Sequence, residues 1–468
     1  MLESSYTKLP ERFYERIRPE SFKNPEALLF NHDLAKELDL EFEDETEIAN
    51  VFSGQKLLPG SEPIAQAYAG SQFGHFVPQL GDGRAHLLGE SRGFDVQLKG
   101  SGRSRFSRRG DGRSALGPVI REYLVSEAMH VLGVPTTRAL AAVVTGEKVL
   151  RQNGSEPGGI LTRVAASHLR VGTFQYFAHQ RDEEALATLT DYAIKRHYLQ
   201  IEDASLSDRC LAFLKAFADR QGNLVAKWYG LGFIHGVMNT DNCSIAGLTI
   251  DYGPCAFMDE FQSQKVFSSI DQQGRYAYSN QMAIVKWNVM QLAGCLYPLI
   301  HSDRDKAASI VEETLHKTLT SFPARVYQTF SKKLGFEQQS DDVDALVVDF
   351  LGYLETNVLD FTESFANLVA LYDGDTKLYR KNEALSGFMQ KWQALNPDIP
   401  LMEQNNPKLI PRNHQIQYAI DHAYKGDNKP FREMAIALKD PFRVVEKHQY
   451  LLNTPKPEER VYQTFCGT

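Results

Sequence analysis

The 468-residue chain has no stretch near the roughly 18 consecutive apolar residues that a membrane span needs. A basic start followed by an apolar run is also missing from Met1 to Arg18, where Glu3, Glu11 and Glu15 stand instead. No secretory leader or mitochondrial transit peptide is therefore predicted. Excess positive charge is absent too: 51 Lys+Arg against 59 Asp+Glu leave a net charge of −8. That gives no global pull towards nucleic acid or an anionic membrane. Cysteine is scarce, with Cys210, Cys243, Cys255, Cys295 and Cys466 odd in number and never in C-x-x-C. This argues against a disulfide framework or a structural zinc site and fits reduced thiols in the cytoplasm. No solenoid-length repeat and no coiled-coil or collagen bias is found. What is there, 43% hydrophobic and 24% charged residues, excludes a mostly disordered chain. The length suggests roughly three domain-sized units.

Periodicity divides the chain. Residues 1–60 mix short helical patterns with polar loops. In Phe94–Lys99, strict alternation predicts a strand with Phe94, Val96 and Leu98 on one side and Asp95, Gln97 and Lys99 on the other. Residues 84–90 read as its antiparallel neighbour across a turn near Gly93. A helix is predicted over 118–132, with Pro118 in its first turn and Gly133 ending it. Residues 136–152 read as two strands around Gly146. Helices are expected at 182–198, 207–229 and 281–301, interrupted by a strand–turn–strand region at 234–258. A β-rich first half and a helical second half fit two lobes with a cleft between them, where ligands often bind.

The chemistry-bearing residues fall in a fixed order. Gly81-Asp82-Gly83-Arg84 precedes Lys99 by about one strand pair. Glycine turns admit backbone N–H groups to a phosphate, although hairpin turns also produce G-x-G. Lys99–Arg113 holds five arginines and four glycines, a local anion trap in an acidic protein. With only Phe106 as a stacking platform, a polyphosphate ligand fits better than a nucleic acid. Glu122 sits on the predicted helix where a kinase-like arrangement pairs a glutamate with the strand lysine, or is an ordinary surface carboxylate. Arg163 and Arg170 add possible phosphate contacts, and His168 between them reads as a hydrogen-bonded structural histidine. His235–Asn242 followed by Asp251-Tyr252-Gly253 parallels the kinase catalytic loop and D-F-G, with Asn242 and Asp251 as metal ligands for Mg²⁺. The kinase base position holds Val237, which accepts no proton; Asp241 lies close by.

These segments resemble the selenoprotein O family, also called the YdiU or protein nucleotidyltransferase family. The matching strings are Gln66–Gly70 with Gln72-Phe73-Gly74, Pro78–Arg84, Leu98-Lys99-Gly100, Gly110–Arg113, Ile120-Arg121-Glu122, Arg163–Arg170 and His235–Pro254. Asp271–Tyr276, Trp287-Asn288, Asn406-Pro407 and Arg412-Asn413 extend the match, from about residue 60 to the C-terminus. The resemblance implies an α+β, protein-kinase-like two-lobed fold: a 1–60 extension, a mixed-β N-lobe over 61–178, a mainly helical C-lobe over 179–400 and a 401–468 C-terminal extension. It implies a protein adenylyltransferase that binds ATP in reverse relative to kinases and moves AMP to Ser, Thr or Tyr hydroxyls of protein substrates with Mg²⁺ or Mn²⁺. Carried over by position, Gly81, Gly83, Arg84, Lys99, Asp111, Gly112, Arg163, Arg170 and Asp251 bind nucleotide. Glu122 holds Lys99, Asp241 is the base, and Asn242 and Asp251 hold the metal. Many members end in a redox-active Cys or selenocysteine, which Cys466 fits; some place a partner cysteine in the loop after D-x-G, where Phe267 stands nearby here, with Cys255 closer to Asp251. Ser71 stands where the family usually has His, and Ser104–Arg108 replaces its Thr-Pro-Tyr-Ser-Arg string.

A carboxylate of ordinary pKa at Asp241 is a weak base for a hydroxyl, so positioning and charge neutralisation are expected to carry the rate. Two other readings stay open on sequence: a kinase using the γ-phosphate, and a non-catalytic ATP-binding scaffold. No nucleic-acid or membrane partner is expected, and the sequence leaves the oligomeric state undetermined.

Overall fold

A computed structural model describes residues 1–151, 154–202 and 204–465. Cys466 and its expected redox role lie outside them. The first part of the chain is built on strands Tyr14–Arg16 (β1), Glu26–Phe30 (β2), Ile64–Gln66 (β3), Gly70–Gln72 (β4), His75–Val77 (β5), Ala85–Ser91 (β6), Phe94–Lys99 (β7), Ser114–Ala115 (β8), Arg138–Arg151 (β9) and Gly154–Ala165 (β10). Eight of them make one sheet in the order β1-β3-β6-β7-β10-β9-β2, with β8 beside β10. Every pairing in it is antiparallel. β4 and β5 form a separate hairpin.

The β6–β7 turn is Arg92-Gly93, both with positive φ (51° and 81°), the two-residue geometry whose twist suits paired strands. The alternation in β7 sorts side chains as expected, apart from Phe94. Val96 and Leu98 join a core with Leu140, Val143, Ile160 and the helix Glu45–Phe52, while Asp95, Gln97 and Lys99 point to the opposite face. Phe94 shares the apolar parity but lies at the hairpin end, beyond that cover, and is 44% exposed.

Two expectations need correction. The described part of the expected 136–152 strand pair, residues 136–151, contains one long strand, β9, not two: Gly146 (φ 71°) sits where the β9–β10 register shifts between Pro157 and Gly159, so it accommodates a bulge without reversing the chain. Residues 1–60 also contribute strands, because β1 pairs with β3 and β2 with β9. Short strands of mixed polarity carry no clear period, so they read as loop.

The helices His32–Glu37 (α1), Glu45–Phe52 (α2), Leu116–Val131 (α3), Val171–His179 (α4), Glu183–His197 (α5), Leu206–Gly230 (α6) and Gln281–Ile300 (α7) follow in chain order. α3 crosses the polar face of the sheet and packs on β9 and β10. It ends at Gly133 (φ 75°), with the Val134 N–H on the Met129 carbonyl and the Gly133 N–H on His130, a Schellman closure. Beyond α6 the chain is helical apart from loops and the two-residue strands Phe233–Ile234 (β11) and Ala256–Phe257 (β12). α7 is long and apolar enough to cross a membrane by length and composition, and half of that window is buried inside the protein. It packs on α4, α5 and α6, as a core helix does. The described cysteines, Cys210, Cys243, Cys255 and Cys295, are buried and free.

Candidate active site

The polar face of β7 carries a ladder of charged groups. Asp95 accepts from the His168 ring at 3.1 Å and pairs with Arg196 at 2.6 Å, so His168 is the structural histidine the sequence suggested. Gln97 donates to Asp82 at 3.3 Å. Lys99 donates to Glu122 of α3 at 2.7 Å and also to Asp251. On β10, Arg163 lies opposite Gln97, a diagonal neighbour of Lys99 on the same face. It pairs with Glu122 and, at 2.8 Å, with Asp251. Two cations and two carboxylates therefore close a compact buried cluster.

Burial alone raises the pKa of Asp251, but Lys99, Arg163 and Arg84 outweigh it and hold the carboxyl well below its usual range. Glu122 is lowered in the same way, burial being overcome by Arg163 and Lys99. Asp251 has φ 69°, a left-handed backbone that aspartate tolerates better than most residues. Its side chain keeps 25% exposure, and its hydrogen bonds from Lys99 and Arg163 all fall on Oδ1.

The loop from His235 to Asn242 is anchored from beneath. The His235 ring bonds the Ile250 carbonyl at 2.9 Å through Nε2 and faces the Val237 N–H through Nδ1, and burial lowers its pKa. This ties the loop to the residue before Asp251. Asn242 donates to the Val237 carbonyl at 3.1 Å, which leaves its amide oxygen for another partner. Among the described residues no three His, Cys, Asp or Glu side chains gather as metal ligands. A cation at Asn242 and Asp251 would thus complete its shell with substrate oxygens, which suits hard Mg²⁺.

Asp241 departs from expectation. Burial pushes its carboxyl up to about 6, against the lowering effects of its own backbone, Gln72 and Arg170. A pKa near the working pH suits a general base. Gln72 donates to its Oδ2 at 3.2 Å. Oδ1 is buried and has no hydrogen-bond partner among the described residues. It lies against Gly70, where a Cβ would stand 2.4 Å from it. The β4–β5 hairpin that carries Gly70 and Gln72 was absent from the sequence-derived site. In the sequence, Gln72-Phe73-Gly74 is marked only as a string shared with the family; in the structure Phe73 and Gly74, both with positive φ, make the turn, and Gln72 pairs with His75.

Arg170 lies under Asp241, donating to its backbone carbonyl at 3.1 Å and stacking on Tyr68 at 4.3 Å; its Nη2 is buried without a hydrogen-bond partner among the described residues. The Gly81–Arg84 loop owes its glycines to packing. A Cβ at Gly81 (φ 66°) would lie 2.2 Å from the Phe106 ring, and one at Gly83 would lie 2.8 Å from the Phe106 carbonyl. Ser104 Oγ donates to the Asp82 carbonyl at 2.7 Å and Ser107 Oγ to that of Gly83. The arginine-rich loop thus clamps the glycine loop. Arg103, Arg105, Arg108 and Arg109 remain exposed. Arg113 pairs with Glu20 and Glu147. Gly112 (φ 71°) allows a close approach to the Gly102 carbonyl. Asp111 pairs with Arg151 at 2.8 Å, so its described contacts lie apart from the Lys99 cluster.

A family model described as Protein adenylyltransferase SelO matches residues 1–439. Proteins named Protein nucleotidyltransferase YdiU are similar over the whole chain. The one from Maridesulfovibrio salexigens is 46% identical, covering 100% of this chain and 98% of its own. Those from Nitrobacter winogradskyi and Roseobacter denitrificans are each 48% identical, covering 100% of this chain and 96% and 98% of theirs. The similarity therefore reaches residue 1, beyond the start near 60 that the motifs suggested.

Proposed function

The chain belongs to the SelO family of protein adenylyltransferases, and from that premise we propose how its residues move AMP from ATP to a protein. The acceptors are Ser, Thr or Tyr hydroxyls. Asp241 takes the hydroxyl proton, the freed oxygen attacks the α-phosphorus, and the bond to the β-phosphate breaks to release pyrophosphate. The single observation that carries this is the pairing of two unlike carboxylates. Asp251 is held ionised by Lys99 and Arg163, while neighbouring Asp241 is pushed up to about 6. Environments that drive two carboxylates apart mark a division between charge stabiliser and base.

Lys99, Arg163, Arg170 and Arg84 supply the positive field for the phosphates, with Gly81, Gly83, Asp111 and Gly112 shaping the loops around them. Developing charge on the pyrophosphate is what such cations stabilise. Asn242 and Asp251 would hold Mg²⁺ or Mn²⁺, a Lewis acid that neutralises phosphate charge. The sheet with α3 forms the N-lobe and the helices from α5 onward the C-lobe of a kinase-like, two-lobed fold with ATP reversed. Residues 1–60 add β1 and β2 to the N-lobe sheet in place of the separate extension expected, the 401–468 segment serves as the C-terminal extension, and the protein works in the cytoplasm. Transfer of α-phosphate label by Asp241→Ala and Asp251→Ala tests the site. Asp251→Ala is expected to abolish transfer and Asp241→Ala to reduce it strongly; full activity in either refutes the assignment.

A further inference from the structure

We infer that Gln72 is a positioning residue for the transfer: it holds one oxygen of Asp241 and so aims the other at the acceptor hydroxyl. The inference rests on the reading of Asp241 as the base. A carboxylate turns about a broad, roughly two-fold terminal torsion, so one directional hydrogen bond decides where its second oxygen points. The Gln72 amide supplies that bond to Oδ2 at 3.2 Å, the one side-chain hydrogen bond to this carboxylate among the described residues. Arg170, whose charge acts on this carboxylate, donates its hydrogen bond to the Asp241 backbone carbonyl and not to the carboxylate.

Holding the hairpin in place is not what the Gln72 side chain is needed for. The Ser71 N–H already bonds Thr240 Oγ1 at 2.6 Å, and the Phe73 N–H bonds Asn239 Oδ1 at 3.1 Å. Thr240 is fixed in turn by Gln175 at 2.6 Å, and Asn239 by the Tyr276 hydroxyl at 2.7 Å. These contacts tie the hairpin to the loop just ahead of Asp241 by main-chain donors on both sides of Gln72. What remains for Gln72 is the carboxylate itself. Oδ1, buried and without a hydrogen-bond partner among the described residues, is left to accept a proton, and the missing side chain at Gly70 lets it sit there without a clash. Displacing a reacting group by about 1 Å costs on the order of 10²-fold in rate.

The test uses the full chain with α-labelled ATP and bulk cell protein as acceptor. Gln72→Met keeps the length and removes the donor; Gln72→Glu keeps the size and replaces the donor with an acceptor. Both are expected to lower kcat about 10- to 100-fold while KM for ATP and the melting temperature hold. The double variant Gln72→Met/Asp241→Asn is expected to be no slower than Asp241→Asn alone, because the two act as one unit. Wild-type kcat in Gln72→Met, or losses that multiply in the double variant, overturns the positioning role and leaves Asp241 as the base. Wild-type activity in Asp241→Asn overturns the base and with it the inference.

Discussion

Arg163 holds the same two carboxylates as Lys99: each cation contacts Glu122 and Asp251, with Lys99 at 2.7 Å from Glu122 and Arg163 at 2.8 Å from Asp251. The lysine–glutamate pair expected from the kinase pattern is thus half of a four-membered buried cluster. Removing one member leaves a buried charge short of its partner, which costs about 3–5 kcal/mol. Arg163→Met is therefore expected to lower stability by about that amount in urea unfolding and to weaken ATP binding. An unchanged unfolding midpoint would show that Lys99 alone carries the cluster.

The Gly81 loop yields a second prediction. A methyl group at Gly81 meets the Phe106 ring at 2.2 Å and strains a backbone with φ 66°. Gly81→Ala is expected to cost about 1–3 kcal/mol and to raise KM for ATP, since the loop and its arginine-rich clamp must separate. Retained stability and unaltered KM would mean that the packing of the two loops is dispensable.

The third concerns pH. Lys333, in the helix Phe322–Lys333, is 3% exposed and lies over the Phe365 ring; its amine donates to the Asn405 carbonyl at 3.2 Å, its one hydrogen bond among the described residues. Burial brings its pKa down to about 7. Above that pH the folded state releases the proton while the unfolded chain keeps it to about 10.4. The unfolded state then binds more protons, so stability rises with pH through this window, by about 2 kcal/mol between pH 7 and 8.5. Below the folded pKa both states hold the proton and the contribution is flat at its least favourable. Urea midpoints of the wild type and Lys333→Met at pH 6, 7 and 8.5 isolate the term. Lys333→Met is expected to gain stability at pH 6 and to lose the slope; parallel profiles would contradict the account.

Fold and site were legible where chemistry repeats locally. Strict alternation gave β7 and the face of Lys99, Pro118 and Gly133 bracketed α3, and His235 to Asp251 marked the loop that carries Asp241, Asn242 and Asp251. Partners distant in sequence stayed hidden. Gln72 meets Asp241 across 169 residues, and nothing in a three-residue strand announces that contact. Arg163 read as a phosphate ligand because its registry with Lys99 exists only once β10 pairs with β7. Gly81 and Gly83 read as room for a phosphate, whereas the crowding they relieve comes from Phe106. Asp241 read as an ordinary carboxylate because its burial is a property of the folded hairpin above it.

The most direct test is label transfer to bulk cell protein, and to the enzyme itself, from ATP labelled at the α or the γ phosphate, with Asp251→Ala as control. Label from the α position only, lost in Asp251→Ala, is the predicted result. Label from the γ position would make the chain a kinase despite Val237 and contradict the account of Asp241 and the pyrophosphate-holding arginines.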